Sequence, residues 1–353
     1  MPIDGPAEFA KPTRPGDLTP FIKQLMRGGA LSEAEARAAF QELATGESHH
    51  AEAGAFLALL ATRLPTVDEI VGAAGVMRAH VARVPTATDP MHIVDTAGTG
   101  GAPKTFNVST LAAIVAASAG AKVAKHGNRS RTGRGSAEVM EALGVNVNAT
   151  PEVQARCLDE AGICFSFAIH HHPAAKHMMP VRKALGFPTL FNLLGPLTNP
   201  AGARRQIMGV YARHFVRPIA EALVRLGSVH ALVFHSDDGL DEISVGAPTQ
   251  IAEVRDGKVY EWMIDPRRLG LEHADPAALA PGGLDDAVRV FEGVLSGAER
   301  GPRRAMVVVN AAAALYAGGV AASIDDGLGM AAESIDFGRA METLEALRVK
   351  SRG

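Results

Sequence analysis

Residues 17–85 carry apolar side chains at helical spacing, with no alternating run of the strand kind. Ser32 with Glu35, and Thr66 with Glu69, have the spacing of capping boxes, in which a hydroxyl and a carboxylate satisfy free N–H groups at a helix start. A helical lobe is predicted here. The pattern changes at "RVPTATDPMHIVD", where Pro85 and Pro90 punctuate the chain and a short apolar run ends at Asp95, marking a boundary and a first strand. From there the apolar runs "AKVAKHG", "ICFSFAI", "QIMGVY", "VHALVFHS" and "AMVVVN" alternate with helical segments. Those helices are expected to start at Ser109 or Thr110, at Ser136, and at Thr150 with Pro151 in the first helical position, and to stop at Gly120, Gly144, Gly162 and Gly227. Such alternation predicts an α/β fold whose mostly parallel central sheet is flanked by helices. In "TQIAEVRDGKVYEWMI", Asp256-Gly257 between two alternating runs signals an antiparallel hairpin.

Composition narrows the function. The chain has 353 residues, enough for two domains, and 35 basic against 38 acidic residues offer no overall field for nucleic acid or an anionic membrane. An anion site must therefore be local. Cys157 and Cys164 are too few for a disulfide framework and lack a zinc-ligand spacing, so reduced, packed thiols are expected. The N-terminal "MPIDGPAEFAKPTRPGD" has no apolar signal core, and no apolar run approaches the ~20 residues that span a bilayer, which gives a cytoplasmic expectation. His170, His171, His172 and His177 cluster, but no H-E-x-x-H accompanies them and zinc is not expected.

Three turns fall just past strands, where open parallel sheets keep their ligands. The first, "VDTAGTGGAPKTFNVST", begins both a dinucleotide fingerprint and a P-loop, and both fail where Pro103 replaces the required glycine. Its glycines and the following helix N-terminus still suit an anion, although a glycine-rich turn without a ligand reads the same way. The second, "KHGNRS", sets Lys125, His126, Asn128 and Arg129 at a strand end, as a phosphate site or a solvated charged turn. The third, "HSDDGLDEIS", packs Asp237, Asp238, Asp241 and Glu242 into six residues, as an acidic surface turn or a Mg²⁺ site. Two like charges 4 Å apart repel by about 4 kcal/mol at an effective dielectric of 20, whereas a helix N-terminus contributes about 0.3 to 1 kcal/mol. A pyrophosphate beside these carboxylates would need a metal. In "PVRKALGFPTLFNLLGPLTNP", Arg182 and Lys183 precede an apolar segment, as a hinge or as a guanidinium for the carboxylate of a flat ring.

Taken in order and spacing, "GTGG", "NVST", "KHGNRS", "GSAEVMEALG", "VRKALG", "TLFNLLGPLTNP" and "DDGLDE" make the chain resemble the anthranilate phosphoribosyltransferases of tryptophan biosynthesis. The resemblance implies a small all-helical N-terminal domain, residues 1–88 completed by helices near 174–195, and a larger α/β domain, residues 89–353, active at their hinge in a homodimer. It implies phosphoribose transfer from 5-phosphoribosyl 1-pyrophosphate to the amine of anthranilate, with two Mg²⁺ ions and no nucleic-acid or membrane partner. By motif match Gly98, Gly101, Thr105, Asn107, Ser109, Thr110, Lys125, Gly127, Asn128, Gly133 and Ser136 would hold the donor. Ser109, Asp241 and Glu242 would hold the metal, and Gly98, Asn128 and Arg182 anthranilate. No catalytic base is assigned, and His126 is an orienting group at most. Ala102 stands where the resembled loop carries an acid, the loop of this chain is one residue shorter before "FNVST", and "RTGRG" (131–135) adds positive charge in place of a more Ser-rich loop. The alternatives are a pyrimidine-nucleoside phosphorylase, opposed by "KHGNRS" and "VRKALG", and a non-catalytic nucleic-acid-binding relative on the same scaffold, opposed by the net charge of −3.

Overall fold

The computed structural model describes residues 12–102, 105–130, 132–271 and 273–353. In chain order the elements are α1 (Thr19–Met26), α2 (Glu33–Thr45), α3 (His50–Ala61), α4 (Val67–Ala79), β1 (Ile93–Asp95), α5 (Val108–Ser118), β2 (Lys122–Gly127), α6 (Ser136–Ala142), α7 (Pro151–Ala161) and β3 (Ile163–Phe167). There follow α8 (Ala168–His171), α9 (Pro173–Lys176), α10 (Met179–Leu185), α11 (Leu190–Leu194), β4 (Arg205–Gly209), α12 (Val216–Arg225), β5 (His230–Ser236), β6 (Thr249–Arg255), β7 (Lys258–Ile264), α13 (Leu284–Leu295), α14 (Pro302–Gly318), α15 (Ile324–Asp336) and α16 (Arg339–Lys350). They form two compact units. One takes the described residues up to Val81 with His172–Leu194, and the other Ala82–His171 with Gly195–Gly353.

The first unit is all-helical, as its spacing predicts. Ser32 and Glu35 close a full capping box on α2, and Thr66 and Glu69 do the same on α4. Glu69 is fully buried, yet it also accepts from the Leu31 N–H at 2.8 Å and pairs with Arg63, so its charge is matched. Phe40 meets Phe56 and Phe191 with ring centroids 5.9 and 5.6 Å apart, tying α2 to α3 and α11.

The second unit is built on a seven-stranded sheet in the order β3-β2-β1-β4-β5-β6-β7. The first five strands in that order are parallel, and β6 and β7 run antiparallel. Strands β1 to β5 are buried almost end to end, as strands covered on both faces must be. The predicted hairpin joins β6 to β7, with Asp256 at φ 53° and Gly257 at φ 69°, the paired positive values of a two-residue turn whose twist matches the strands. Thr150 caps α7 by accepting from the Val153 N–H, and Gly162 closes that helix in the left-handed region. Both cysteines are free and buried.

Three local expectations are corrected. "AMVVVN" is no strand but part of α14, a helix of 17 residues that buries nearly every side chain from Met306 to Ala317. A short apolar run reads alike in a buried strand and a buried helix, and only the alanines that follow, with Pro302 at the helix start, favour the helix. Helix α5 starts at Val108, ahead of Ser109 and Thr110, because Asn107 already stands outside helical geometry with its side-chain amide donating to the Arg134 carbonyl at 3.2 Å. Ser136 is the first residue inside α6, and Gly135 occupies the cap. A Cβ on Gly135 would lie 2.6 Å from the Ser130 nitrogen and 2.7 Å from the Asn128 carbonyl oxygen, which reserves that position for glycine.

Candidate active site

Parallel strands leave the sheet in one direction, so the turns after β1, β2 and β5 rise from one edge. Asp95, at the end of β1, joins the first two. Its Oδ1 accepts the Ala97 N–H at 3.0 Å and the His126 N–H at 3.2 Å, and its Oδ2 accepts from the Asn199 side chain at 2.8 Å. Asn199 also donates to the Ala124 carbonyl at 2.9 Å, so one amide links β1 and β2. Lys125 is buried beside them, with its ammonium donating to the His126 carbonyl at 2.7 Å. Burial pushes its pKa down, while the charges of Asp95 and Glu242 oppose that shift. Burial pushes Asp95 up against the opposing pull of Lys125 and the hydrogen bonds.

The end of β4 separates the glycine loop from the acidic turn and holds both close. The Gly209 carbonyl accepts the Thr99 N–H at 2.9 Å, and Thr99 Oγ1 accepts the Tyr211 N–H at 3.0 Å. A Cβ on Gly98 would meet the Gly209 oxygen at 2.8 Å, and a Cβ on Gly209 would meet the Asp241 oxygen at 1.7 Å. The glycine loop, β4 and the acidic turn thus stack backbone on backbone, which only glycine permits. Helix α5 completes the junction, because its Ser109 N–H donates to the Glu242 carboxylate. Glu242 therefore meets the charge of Lys125 from the second turn and an N–H from the end of the first.

The four carboxylates of the acidic turn separate into two pairs. Asp237 is exposed and bridges to Arg213 at 2.7 Å, and Asp238, also exposed, accepts the Ser244 hydroxyl at 2.5 Å. Asp241 and Glu242 are partly buried. Burial, followed by the Asp241 charge, pushes Glu242 well above the usual carboxylate range, against Lys125 and the Ser109 N–H. Desolvation and the neighbouring Asp241 charge thus outweigh what Lys125 and the Ser109 N–H supply to Glu242.

The remaining predicted donor-site residues lie on the glycine loop, on α5, and between the end of β2 and the start of α6. Thr105 and Thr110 are buried, and Thr110 Oγ1 has no hydrogen-bond partner among the described residues, which is unusual for a buried hydroxyl. Gly101 and Gly133 take positive φ values of 101° and 68° and are exposed. Gly127 tolerates no side chain, since a Cβ would lie 2.5 Å from both Ser136 Oγ and the Phe165 ring. Ser136 Oγ accepts the Asn128 N–H at 3.1 Å and fixes the turn that exposes Asn128. In the loop that follows, Arg134 donates to the Pro281 carbonyl, while Pro103, Lys104 and Arg131 lie outside the described residues. Ala102 is buried, so a methyl group occupies the position of the acid in the resembled loop.

Arg182 belongs to the helical unit. Its guanidinium carbon lies 5.3 Å from the Phe191 ring centroid, and its hydrogen-bond partner there is the Met179 sulfur at 3.9 Å. Burial pushes its pKa down, and it has no carboxylate partner among the described residues. A partly buried guanidinium of this kind is short of an anion.

The donor chemistry fits Mg²⁺. Two carboxylates and the Ser109 hydroxyl are hard oxygen ligands, and among the described residues no group of three His, Cys, Asp or Glu side chains forms a complete cage. Magnesium, which binds through one or two carboxylates and completes its shell with water and substrate phosphate, has the matching requirement. Asp95, Asn199 and Gly209 were not singled out as site residues by sequence reasoning. Among the described residues no helix is long and apolar enough to cross a membrane.

Residues 90–341 match the family described as the a/b domain of the glycosyl transferase family, and residues 19–81 match its helical bundle domain. The chain is 48% identical over 338 residues to the anthranilate phosphoribosyltransferase of Rubrobacter xylanophilus, covering 95% of this chain and 98% of that one. The crystal structure of anthranilate phosphoribosyltransferase from Thermus thermophilus superposes with a TM-score of 0.88 at 39% identity, covering 94% and 99% of the two chains. The Saccharomyces cerevisiae enzyme in complex with PRPP and Mg gives 0.86 at 27% identity, covering 95% and 98%, and in complex with 4-fluoroanthranilate it gives 0.84 at the same identity and coverage. With both units matched and nearly the whole length covered, the chain is an enzyme and belongs to the anthranilate phosphoribosyltransferase family of glycosyltransferases.

Proposed function

We propose that the enzyme uses Mg²⁺ to transfer phosphoribose from 5-phosphoribosyl 1-pyrophosphate to the amine of anthranilate, giving N-(5-phosphoribosyl)anthranilate and pyrophosphate. The observation that carries this reading is the convergence on Glu242, which meets the Ser109 N–H and the charge of Lys125 from two other turns. The yeast complexes with PRPP and Mg and with 4-fluoroanthranilate support the choice of donor, ion and acceptor.

The anthranilate nitrogen lone pair forms a bond to the ribose C1 as the C1–O bond breaks, and that electron pair leaves with the pyrophosphate. Negative charge grows on the leaving group, where fixed N–H groups and cations count most. Gly98, Gly101, Thr105, Asn107 and Thr110 hold the diphosphate along the glycine loop and the start of α5, and the buried Thr110 hydroxyl gains the partner it lacks. Lys125, Gly127, Asn128, Gly133 and Ser136 hold the phosphoribosyl end. Ser109 with Glu242, and Asp241 with Glu242, would each hold a Mg²⁺, which supplies charge neutralisation at the leaving oxygens. Asn128 and Gly98 orient anthranilate, and Arg182 takes its carboxylate. An aromatic amine is uncharged at neutral pH, so the nitrogen needs no strong base before attack, and His126 orients at most.

The test is loss of anthranilate fluorescence with donor and Mg²⁺, run over a panel of aminobenzoates. No turnover of any of them at saturating donor, with the fold intact, sinks the reading. Exchanging Arg182 for Ala removes a charge-assisted pair of hydrogen bonds worth about 1.5 to 3 kcal/mol, so the KM for anthranilate is expected to rise roughly 10- to 150-fold. The KM for the donor should stay within about twofold, and Arg182→Lys should be intermediate, since Lys keeps the charge but not the planar fork. A loss confined to donor binding would reassign Arg182.

A further inference from the structure

We propose that Asn310 is a positioning residue for the metal site, fixing where Asp241 and Glu242 stand from the far side of their turn; this rests on reading those two as the metal carboxylates. Asn310 is the last residue of the run "AMVVVN" and sits fully buried within α14. Its Oδ1 accepts the Ile243 N–H at 3.0 Å, while its Nδ2 donates to the Ile243 carbonyl at 2.9 Å and to the Met306 carbonyl at 2.8 Å. The amide reads both backbone groups of one residue, as a neighbouring strand would.

The acidic turn creates the need for such a grip. Ile243, Ser244 and Val245 are completely buried but lie outside any strand, so their backbone polar groups require other partners. Asparagine is a poor residue for a helix interior, and a buried amide costs stability unless its hydrogen bonds are made. An apolar side chain would suit α14 itself, and the distinct service of the amide is to the chain directly after Glu242. On the other side Asp241 rests against Gly209. The two carboxylates are thus bracketed between a strand end that admits no Cβ and a helix amide that holds the next peptide group.

Partners that orient metal ligands typically change metal affinity by about 10- to 100-fold when removed. The variant to make is Asn310→Ser, because a serine hydroxyl can still bond back to the Met306 carbonyl four residues earlier but cannot reach Ile243. Mn²⁺ is the probe, with free Mn²⁺ read by electron paramagnetic resonance in the presence of inorganic pyrophosphate. Mn²⁺ affinity is expected to fall about tenfold or more, and half-saturating Mg²⁺ in turnover to rise alongside, while the KM for anthranilate stays within about twofold. A smaller loss of Mn²⁺ affinity, or an equal loss in anthranilate binding, overturns the proposal. Should the serine variant not fold, hydrogen exchange on the wild type decides. The Ile243 amide is expected to be protected like the amides of α14, and exchange as fast as that of the exposed Asp238 overturns the assignment. Mn²⁺ binding is read without turnover, so failure of the transfer reaction and failure of this role are separable.

Discussion

Changing Asp241 to Asn and Glu242 to Gln together is expected to reduce turnover by about 10³-fold or more, and at the same time to raise the melting temperature of the metal-free protein. Both follow from the proposed charge of these two side chains at the site. On the proposed reading these carboxylates anchor the cation, and without them the diphosphate would develop its charge without neutralisation. The attraction lost between one cation charge and one phosphate charge 4 Å apart is about 4 kcal/mol at an effective dielectric of 20, or about three powers of ten in rate. The stability change runs the opposite way. Burial and the Asp241 charge raise Glu242 in the folded protein, so the folded state favours its neutral form more than the unfolded chain does. As pH rises from the ordinary carboxylate range through the raised value, the wild type loses stability that the Gln variant keeps. Below that range Glu242 is neutral in both states and the Glu242→Gln advantage should vanish. The check is a pair of melting curves, near pH 8 and near pH 4, beside fluorescence rates over a Mg²⁺ titration. Undiminished turnover would move the metal elsewhere, and a lower melting temperature near pH 8 would show that the carboxylates hold the turn together instead.

The residues that sequence reasoning found at this site, and those it did not, differ in the range of their interactions. Ser32 with Glu35 and Thr66 with Glu69 act on partners three residues away, and the alternation of short apolar runs with helices follows from burial on both sheet faces, so both leave a local pattern. The three candidate turns were legible for the same reason, each being a cluster of polar residues or glycines directly after an apolar run. Asp95 also ends such a run, but its use depends on His126 and Asn199, 31 and 104 positions away. Nothing in "IVD" marks its carboxylate as a junction. Asn310 was hidden twice. Its run was read as a strand, and its partner Ile243 lies 67 positions earlier on an unrelated element. Asn107 shows a milder form of the limit, since its amide is drawn to the Arg134 carbonyl across a loop and the helix starts ahead of the hydroxyls that would otherwise mark it.

Gly209 is the extreme case, and it yields the second large effect: Gly209→Ala is expected to lower kcat/KM by about 10²-fold in a folded protein. Its φ is not in the left-handed region, so no backbone strain demands glycine there, and "QIMGVY" reads as an ordinary buried strand. The demand comes entirely from Asp241. An added methyl would stand 1.7 Å from the Asp241 oxygen, whereas real contacts essentially never fall below 3.0 Å, so the acidic turn must retreat by more than an ångström. The sheet is the less yielding partner, because β4 is paired on both sides, with β1 and with β5. A misplacement of about 1 Å can cost roughly 10²-fold in rate. The loss should appear in half-saturating Mg²⁺ and in the KM for the donor, leaving the acceptor largely alone, opposite to the pattern expected of Arg182→Ala. Gly329→Ala is the control, since a Cβ there meets nothing within 4 Å and α15 should gain slightly from alanine. If Gly209→Ala turns over like the control, the acidic turn does not rest on the end of β4 in the working enzyme. The convergence of the three turns would then lose its central support.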